Sequence, residues 1–176
     1  MTPAAHIASC DNYLASRTGR YEWRCARYAA ALERMESTRG LTDAHTVVDV
    51  GAGWTELDAY LRTVGRWRGR YFPVDGGLDG VDLNAWTPPR RVEWVVALEI
   101  VEHLYHPERL IRACQEAATL GVVISTPNPE TTDVLGMDPT HVVPVWRRDL
   151  EALGFTVESR SFYGSPDDSL LAWWLA

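Results

Sequence analysis

Hydrophobic positions along the chain alternate between helical and strand spacing. From about residue 11 to 37, Tyr21, Cys25, Tyr28, Leu32 and Met35 recur at the interval of one helix face, and Arg20, Arg24, Arg27 and Arg34 form a stripe beside them. That spacing predicts an amphipathic helix with the arginines on a solvated face. The alternative is a basic wall turned toward an anion. Apolar runs at 46–50, 70–75, 92–98 and 122–125 then predict strands, the run Val92 to Leu98 being continuous enough for a central parallel strand. Between them, helices are predicted at about 55–64, 99–105 and 107–119, the last opened by Pro107 at its first turn and ended by Gly121.

The stretch 127–145 holds four prolines and no period, so it reads as a lid loop. A helix at 146–153 stops at Gly154, and Phe155 to Tyr163 with Leu170 to Trp174 form an antiparallel strand pair. Strands alternating with helices imply an α/β fold with a mostly parallel sheet and an antiparallel last strand. One element is short of chain. Only a handful of residues separate Asp75 from Asp82, too few for a parallel crossover. A third strand there is expected to be lost or reduced to a short irregular edge. The 176 residues are read as a single domain, with 1–40 an N-terminal helical cap and 41–176 the core.

Composition narrows the classes. A net charge of −7 gives no global basic field for nucleic acid. All 17 basic residues are arginine, which excludes lysine Schiff-base chemistry and the lysine of a P-loop. Cys10, Cys25 and Cys114 are odd in number and scattered, which fits a reducing, cytoplasmic compartment, and no apolar run reaches the length of a membrane span.

Candidate chemistry begins at Val47-Val48-Asp49-Val50-Gly51-Ala52-Gly53, a buried strand running into a Gly-x-Gly turn before a helix. Such a turn lets the backbone approach a nucleoside cofactor closely. Thr55, where a further glycine is common, is expected to cap the helix that follows. Glu99, Glu102 and His103, spaced i, i+3, i+4, are expected to share one helix face at a strand's carboxyl end. Two carboxylates and an imidazole suit Mg²⁺, Mn²⁺ or Zn²⁺, with His141 on the lid as a fourth ligand. The alternative is a structural or general-base role for the two histidines.

These motifs together resemble the class I S-adenosylmethionine-dependent methyltransferases, a Rossmann-like sandwich here trimmed between its second and third strands. The resemblance covers residues 45 to 176: the glycine motif, Asp75, Asp82-Leu83, the block Val92 to Leu104, Val122 to Asn128, and His141 through Trp146 to Gly154-Phe155. It implies S-adenosyl-L-methionine on Asp49, Gly51, Ala52, Gly53, Asp75, Asp82, Leu83, Leu98 and Glu99. Asp75 would meet the ribose hydroxyls, and Asp82-Leu83 the adenine. Glu-x-x-Glu-His is similar to the ubiquinone-pathway O-methyltransferases and to the small-RNA 3′-terminal 2′-O-methyltransferases. The expected activity is methyl transfer to an oxygen of a small molecule, with His103 and His141 as catalytic bases, or with Glu99, Glu102, His103 and His141 around a divalent metal. RNA as acceptor, and a non-catalytic cofactor-binding subunit, are the alternatives.

Overall fold

A computed structural model describes residues 21–88 and 91–176. The predicted helical stretch ahead of Tyr21, Arg20 included, lies outside them, as does Cys10. Helix α1 (Tyr21–Thr38) precedes strand β1 (Thr46–Val50), helix α2 (Glu56–Thr63) and strand β2 (Arg70–Val74). Strand β3 (Val92–Leu98), helix α3 (Pro107–Ala117) and strand β4 (Ala118–Pro127) follow. After a one-turn helix α4 (Val134–Met137) come helix α5 (Arg147–Ala152) and the closing strands β5 (Thr156–Arg160) and β6 (Ser169–Leu175).

The six strands lie in the order β2-β1-β3-β4-β6-β5. Pairings β1/β2, β1/β3 and β3/β4 are parallel; β6 runs antiparallel to both β4 and β5. Strand alternation divides the core into two faces. Val95 and Ala97 of β3 point into one, with Leu110, Ile111 and Cys114 of α3 and Leu150 of α5. Trp94 and Val96 point into the other, with Ala30, Ala31 and Met35 of α1 and Leu57 and Leu61 of α2. The arrangement is the expected α/β sandwich, helices covering both faces of a mainly parallel sheet. No described helix is long and apolar enough to cross a membrane.

The shortened crossover ends as its length requires. Among the described residues, 75–88 form turns instead of a strand, and β2 is left as the sheet edge. Pro73 fits there, since a central strand would have no use for a residue lacking N–H. The turns fold back on the sheet: Leu83 is buried in the core, beside Val74, Val81 and Trp86.

Four expectations need correction. The arginine stripe is not solvated: Arg24 and Arg27 are 5% and 6% exposed, because carboxylates from the core meet them. Gly121 does not end a helix. It lies inside β4, three residues after the strand begins, where a Cβ would come within 2.7 Å of both the Trp94 ring and the Trp174 carbonyl. Thr55 precedes α2 but makes no side-chain cap; its φ of 58° is the left-handed conformation a glycine would adopt freely. The helix expected at 99–105 is only a 3₁₀ turn, Val101–His103, so Glu99 does not stand on it.

Candidate cofactor cleft and acid–histidine cluster

The cleft is built where β1 and β3 end. Gly51 and Gly53 take φ of 79° and 49°. A side chain on Gly51 would also collide with Ile100, 2.7 Å from the Cβ position, so packing as well as conformation demands glycine there. The turn is fastened to the end of β2: Gly51 and Ala52 donate to the Val74 carbonyl at 2.8 and 3.2 Å, and Gly53 N–H donates to Asp75 Oδ2 at 2.9 Å. Asp49, Gly51, Ala52, Trp54 and, at the end of β3, Leu98 line the cleft. Arg27 and Tyr28 reach in from α1, and Glu56 from the first turn of α2.

Burial shapes the acids around this cleft. Asp49 is 4% exposed and accepts a hydrogen bond from the Tyr71 hydroxyl. Desolvation raises its pKa to about 7, against the lowering effect of that bond; the charges of Asp75 and Asp58 add to the rise. Glu56 is held bidentately by Arg24, at 2.5 and 2.9 Å, and receives the Tyr28 hydroxyl at 3.0 Å. These bonds clamp α1 onto the helix behind the glycine turn.

Asp75 lies beside the turn, as expected, yet its carboxylate already accepts N–H groups from Gly53, Gly77 and Leu78. A carboxylate has about four acceptor positions. Bonding two ribose hydroxyls would therefore require the 76–78 turn to release at least one oxygen position. Asp82 and Leu83 are not brought to the cleft. Asp82 Oδ1 accepts from the backbone N–H and side-chain amide of Asn84, and Leu83 is core.

Glu99 follows β3 with φ of 55°, a conformation that costs a non-glycine residue about 1–2 kcal/mol. Its side chain has partners different from those of Glu102. Glu99 Oε1 accepts from Ser125 Oγ at 2.7 Å, and Oε2 accepts from the Tyr163 hydroxyl, with Arg27 Nη1 3.6 Å away. Burial, then the Glu99 charge, pushes the Tyr163 phenol well above its usual value.

Glu102 goes to a second cluster. It is fully buried; Thr126 Oγ1 donates to its Oε2 at 3.1 Å, and its Oε1 has no hydrogen-bond partner among the described residues. His141 Nε2 is 4.0 Å from that oxygen, and the His103 and His141 rings meet edge-on at 4.7 Å. Glu102, His103 and His141 each offer a ligand atom within 4.8 Å of the others. Glu99 is not among them. Desolvation first, then repulsion from Glu99, holds the Glu102 carboxyl well above the usual range.

Residues of the segment 134–140 hold both rings. Thr140 donates its hydroxyl to Asp138 at 2.6 Å, so its oxygen accepts from His103 Nδ1 at 3.0 Å; the Thr140 carbonyl is at 3.2 Å from the same nitrogen. His141 Nδ1 donates to the Val134 carbonyl at 2.6 Å. A histidine that donates from Nδ1 can present Nε2 to a metal ion. Val142 and Val143 N–H groups donate to the Glu102 carbonyl at 2.9 and 3.2 Å, tying this segment to the 3₁₀ turn.

The sequence did not mark Glu56, Tyr28, Ser125 or Tyr163 as site residues. Ser125 carried a signal, being at the carboxyl end of a buried strand; Tyr163 carried none.

Solved structures share this fold. One chain of the complex between the Haloferax volcanii Trm112 methyltransferase activator and a methyltransferase is 16% identical, with 95% of each chain covered and a TM-score of 0.68. A SAM-dependent methyltransferase from Archaeoglobus fulgidus is 19% identical over 81% of this chain and 98% of that one, with a TM-score of 0.59. The fold is that of the S-adenosylmethionine-dependent methyltransferases. The magnesium protoporphyrin IX methyltransferase of Synechocystis PCC 6803, solved with bound S-adenosylhomocysteine, is 13% identical over 87% and 83% of the two chains, with a TM-score of 0.57. No family model and no curated protein sequence matches the chain. At these identities the likeness concerns the methyltransferase fold alone.

Proposed function

We propose that the protein is a single-domain S-adenosylmethionine-dependent methyltransferase that methylates an oxygen of a small molecule. The observation that carries the chemistry is the buried Glu102 Oε1, which has no hydrogen-bond partner among the described residues, grouped with His103 and His141 so that a ligand atom of each lies within 4.8 Å of the others. A buried carboxylate oxygen without a donor is costly, and a divalent cation on Glu102, His103 and His141 would relieve it. One oxygen and two nitrogen donors suit Mn²⁺ or Zn²⁺ better than Mg²⁺. Glu99, tied to Ser125 and Tyr163, is left out of this ligand set.

When bound, the cofactor supplies an electrophilic methyl group on a sulfonium. The chain's own contribution is positioning and proton control. Asp49, the glycine turn and Leu98 line the cofactor side. Thr126 and the lid hold Glu102, His103 and His141 on the acceptor side. There they would either ligate a cation that lowers the acceptor hydroxyl's pKa or, through an Nε2 lone pair, accept its proton. The acceptor is then held in line with the methyl group, and orientation supplies most of the rate.

An RNA acceptor finds less support. Arg24 and Arg27 are turned inward onto Glu56 and Glu99, and the lid contributes Glu130, Asp133 and Asp138 with no arginine. Phosphate recognition needs basic groups at the surface.

Calorimetric titration with S-adenosylhomocysteine and, separately, Mn²⁺ tests the reading. The expected result is saturable binding of both, with Mn²⁺ lost in Glu102→Gln. No binding of S-adenosylhomocysteine to a folded protein would favour the non-catalytic alternative. Cofactor binding without Mn²⁺ binding would leave the histidines as bases.

A further inference from the structure

Resting on the role proposed above for the acid–histidine cluster, we infer that Asp138 is a positioning residue: through the Thr140 hydroxyl it fixes which ring nitrogen of His103 carries the proton. The run Asp138-Pro139-Thr140-His141 leads from helix α4 into the cluster. Pro139 presets the backbone of the turn between the acid and the threonine. Asp138 closes that turn twice. Its Oδ1 accepts the Thr140 N–H at 2.8 Å, and its carbonyl accepts the His141 N–H at 3.1 Å. One residue thereby sets the backbone that carries Thr140 and His141, and both of their side chains meet His103.

Counting protons decides the tautomer. A threonine hydroxyl has one proton to donate and two lone pairs to offer. Thr140 Oγ1 gives its proton to Asp138 Oδ1 at 2.6 Å, the short contact of a charge-assisted bond. Toward His103 Nδ1, 3.0 Å away, the same oxygen can then only accept. The Thr140 carbonyl, 3.2 Å from that nitrogen, has no proton to give. Both atoms facing Nδ1 therefore call for an N–H there, and in a neutral imidazole Nε2 is then the basic nitrogen. With Nδ1 held by Thr140, Nε2 is the atom that serves His103 as ligand or as base. Without the Asp138 carboxylate, the Thr140 hydroxyl proton can turn onto Nδ1 and favour the opposite tautomer. The link from carboxylate through hydroxyl to imidazole orients the ring and selects its basic nitrogen, as a carboxylate bonded directly to a metal-binding histidine does.

Correlation spectra of ¹⁵N-labelled histidine rings, taken without metal at a pH where His103 is neutral, read the protonated nitrogen directly. They are recorded for wild type, Asp138→Ala, Asp138→Asn and Thr140→Ser, and Mn²⁺ is titrated calorimetrically into each. His103 is expected in the Nδ1–H form in wild type. It should stay so in Asp138→Asn, which keeps an acceptor for Thr140, and in Thr140→Ser, which keeps the hydroxyl. Asp138→Ala should shift His103 toward the Nε2–H form. It should also weaken Mn²⁺ binding by about 10–100-fold, the scale of losing an outer partner of a metal-binding histidine, and Thr140→Ser should bind Mn²⁺ as wild type does. An Nε2–H ring in wild type overturns the inference, whether or not the variants fold. So does a folded Asp138→Ala protein whose His103 keeps the wild-type tautomer. If wild type shows the Nδ1–H form but takes up no Mn²⁺, the metal reading fails, and the positioning inference stands on the tautomer shift in Asp138→Ala.

Discussion

Replacing Asp49 by asparagine should remove a pH-dependent loss of stability that is written into the end of β1. Asp49 is 4% exposed, and burial carries its carboxyl from 3.8 to about 7. A carboxyl raised in this way stabilises the fold fully below its unfolded pKa of 3.8, and that contribution is lost as pH rises through about 7. The shift of about 3 units corresponds to about 4 kcal/mol at about 1.36 kcal/mol per unit. By linkage, about 1.6 kcal/mol is already lost at pH 5 and about 4 kcal/mol at pH 8. Asparagine has the same shape and can accept the Tyr71 hydroxyl, but it does not titrate. Urea denaturation of both proteins at pH 5 and pH 8 reads the difference. The variant's advantage over wild type should grow by about 2.5 kcal/mol between the two pH values, and other titrating groups cancel in that comparison. Curves that keep a constant separation, within about 0.5 kcal/mol, would refute the buried titration of Asp49.

Three further substitutions have expected outcomes. Thr55→Gly should stabilise by about 0.5–1 kcal/mol: it relieves a left-handed threonine worth about 1–2 kcal/mol, offset by a more flexible unfolded chain. A destabilised variant in urea would mean that the threonine side chain makes a stabilising contact. Glu102→Gln should become increasingly stable relative to wild type as pH rises, because the raised carboxyl must ionise in a buried site above its folded pKa. In thermal melts at neutral pH, the same variant should also lose any rise in Tm produced by Mn²⁺ in wild type. Tyr163→Phe removes a hydroxyl that donates to buried Glu99 and should cost about 1–3 kcal/mol in urea denaturation; a change within about 0.5 kcal/mol would show that Glu99 is satisfied without it.

Strand alternation and the glycine turn were legible because they are local. Val92 to Leu98 is apolar on both faces since helices cover both, and the strand was readable to the residue. The few residues after Asp75 could not hold a crossover, and β2 is the sheet edge as a result. Two i, i+3 relations misled. The arginines of α1 have the spacing of a solvated stripe, and nothing in that spacing reveals that Glu56 and Glu99 wait opposite two of them. Glu99 and Glu102 have the spacing of one helix face, but a left-handed residue at Glu99 interrupts the helix and sends the two carboxylates to different partners.

The sequence alone determined the α/β alternation, the glycine turn and the missing crossover, because each depends on neighbours along the chain or on how much chain there is. Tertiary structure decided which charges are buried and with whom. It moved Arg24 and Arg27 inward, committed Asp75 to its own turn, separated Glu99 from Glu102, and brought His103 beside His141. Burial of a charge depends on what the opposing element presents, and Arg27 and Glu99, or His103 and His141, are neighbours only after the sheet has ordered its strands.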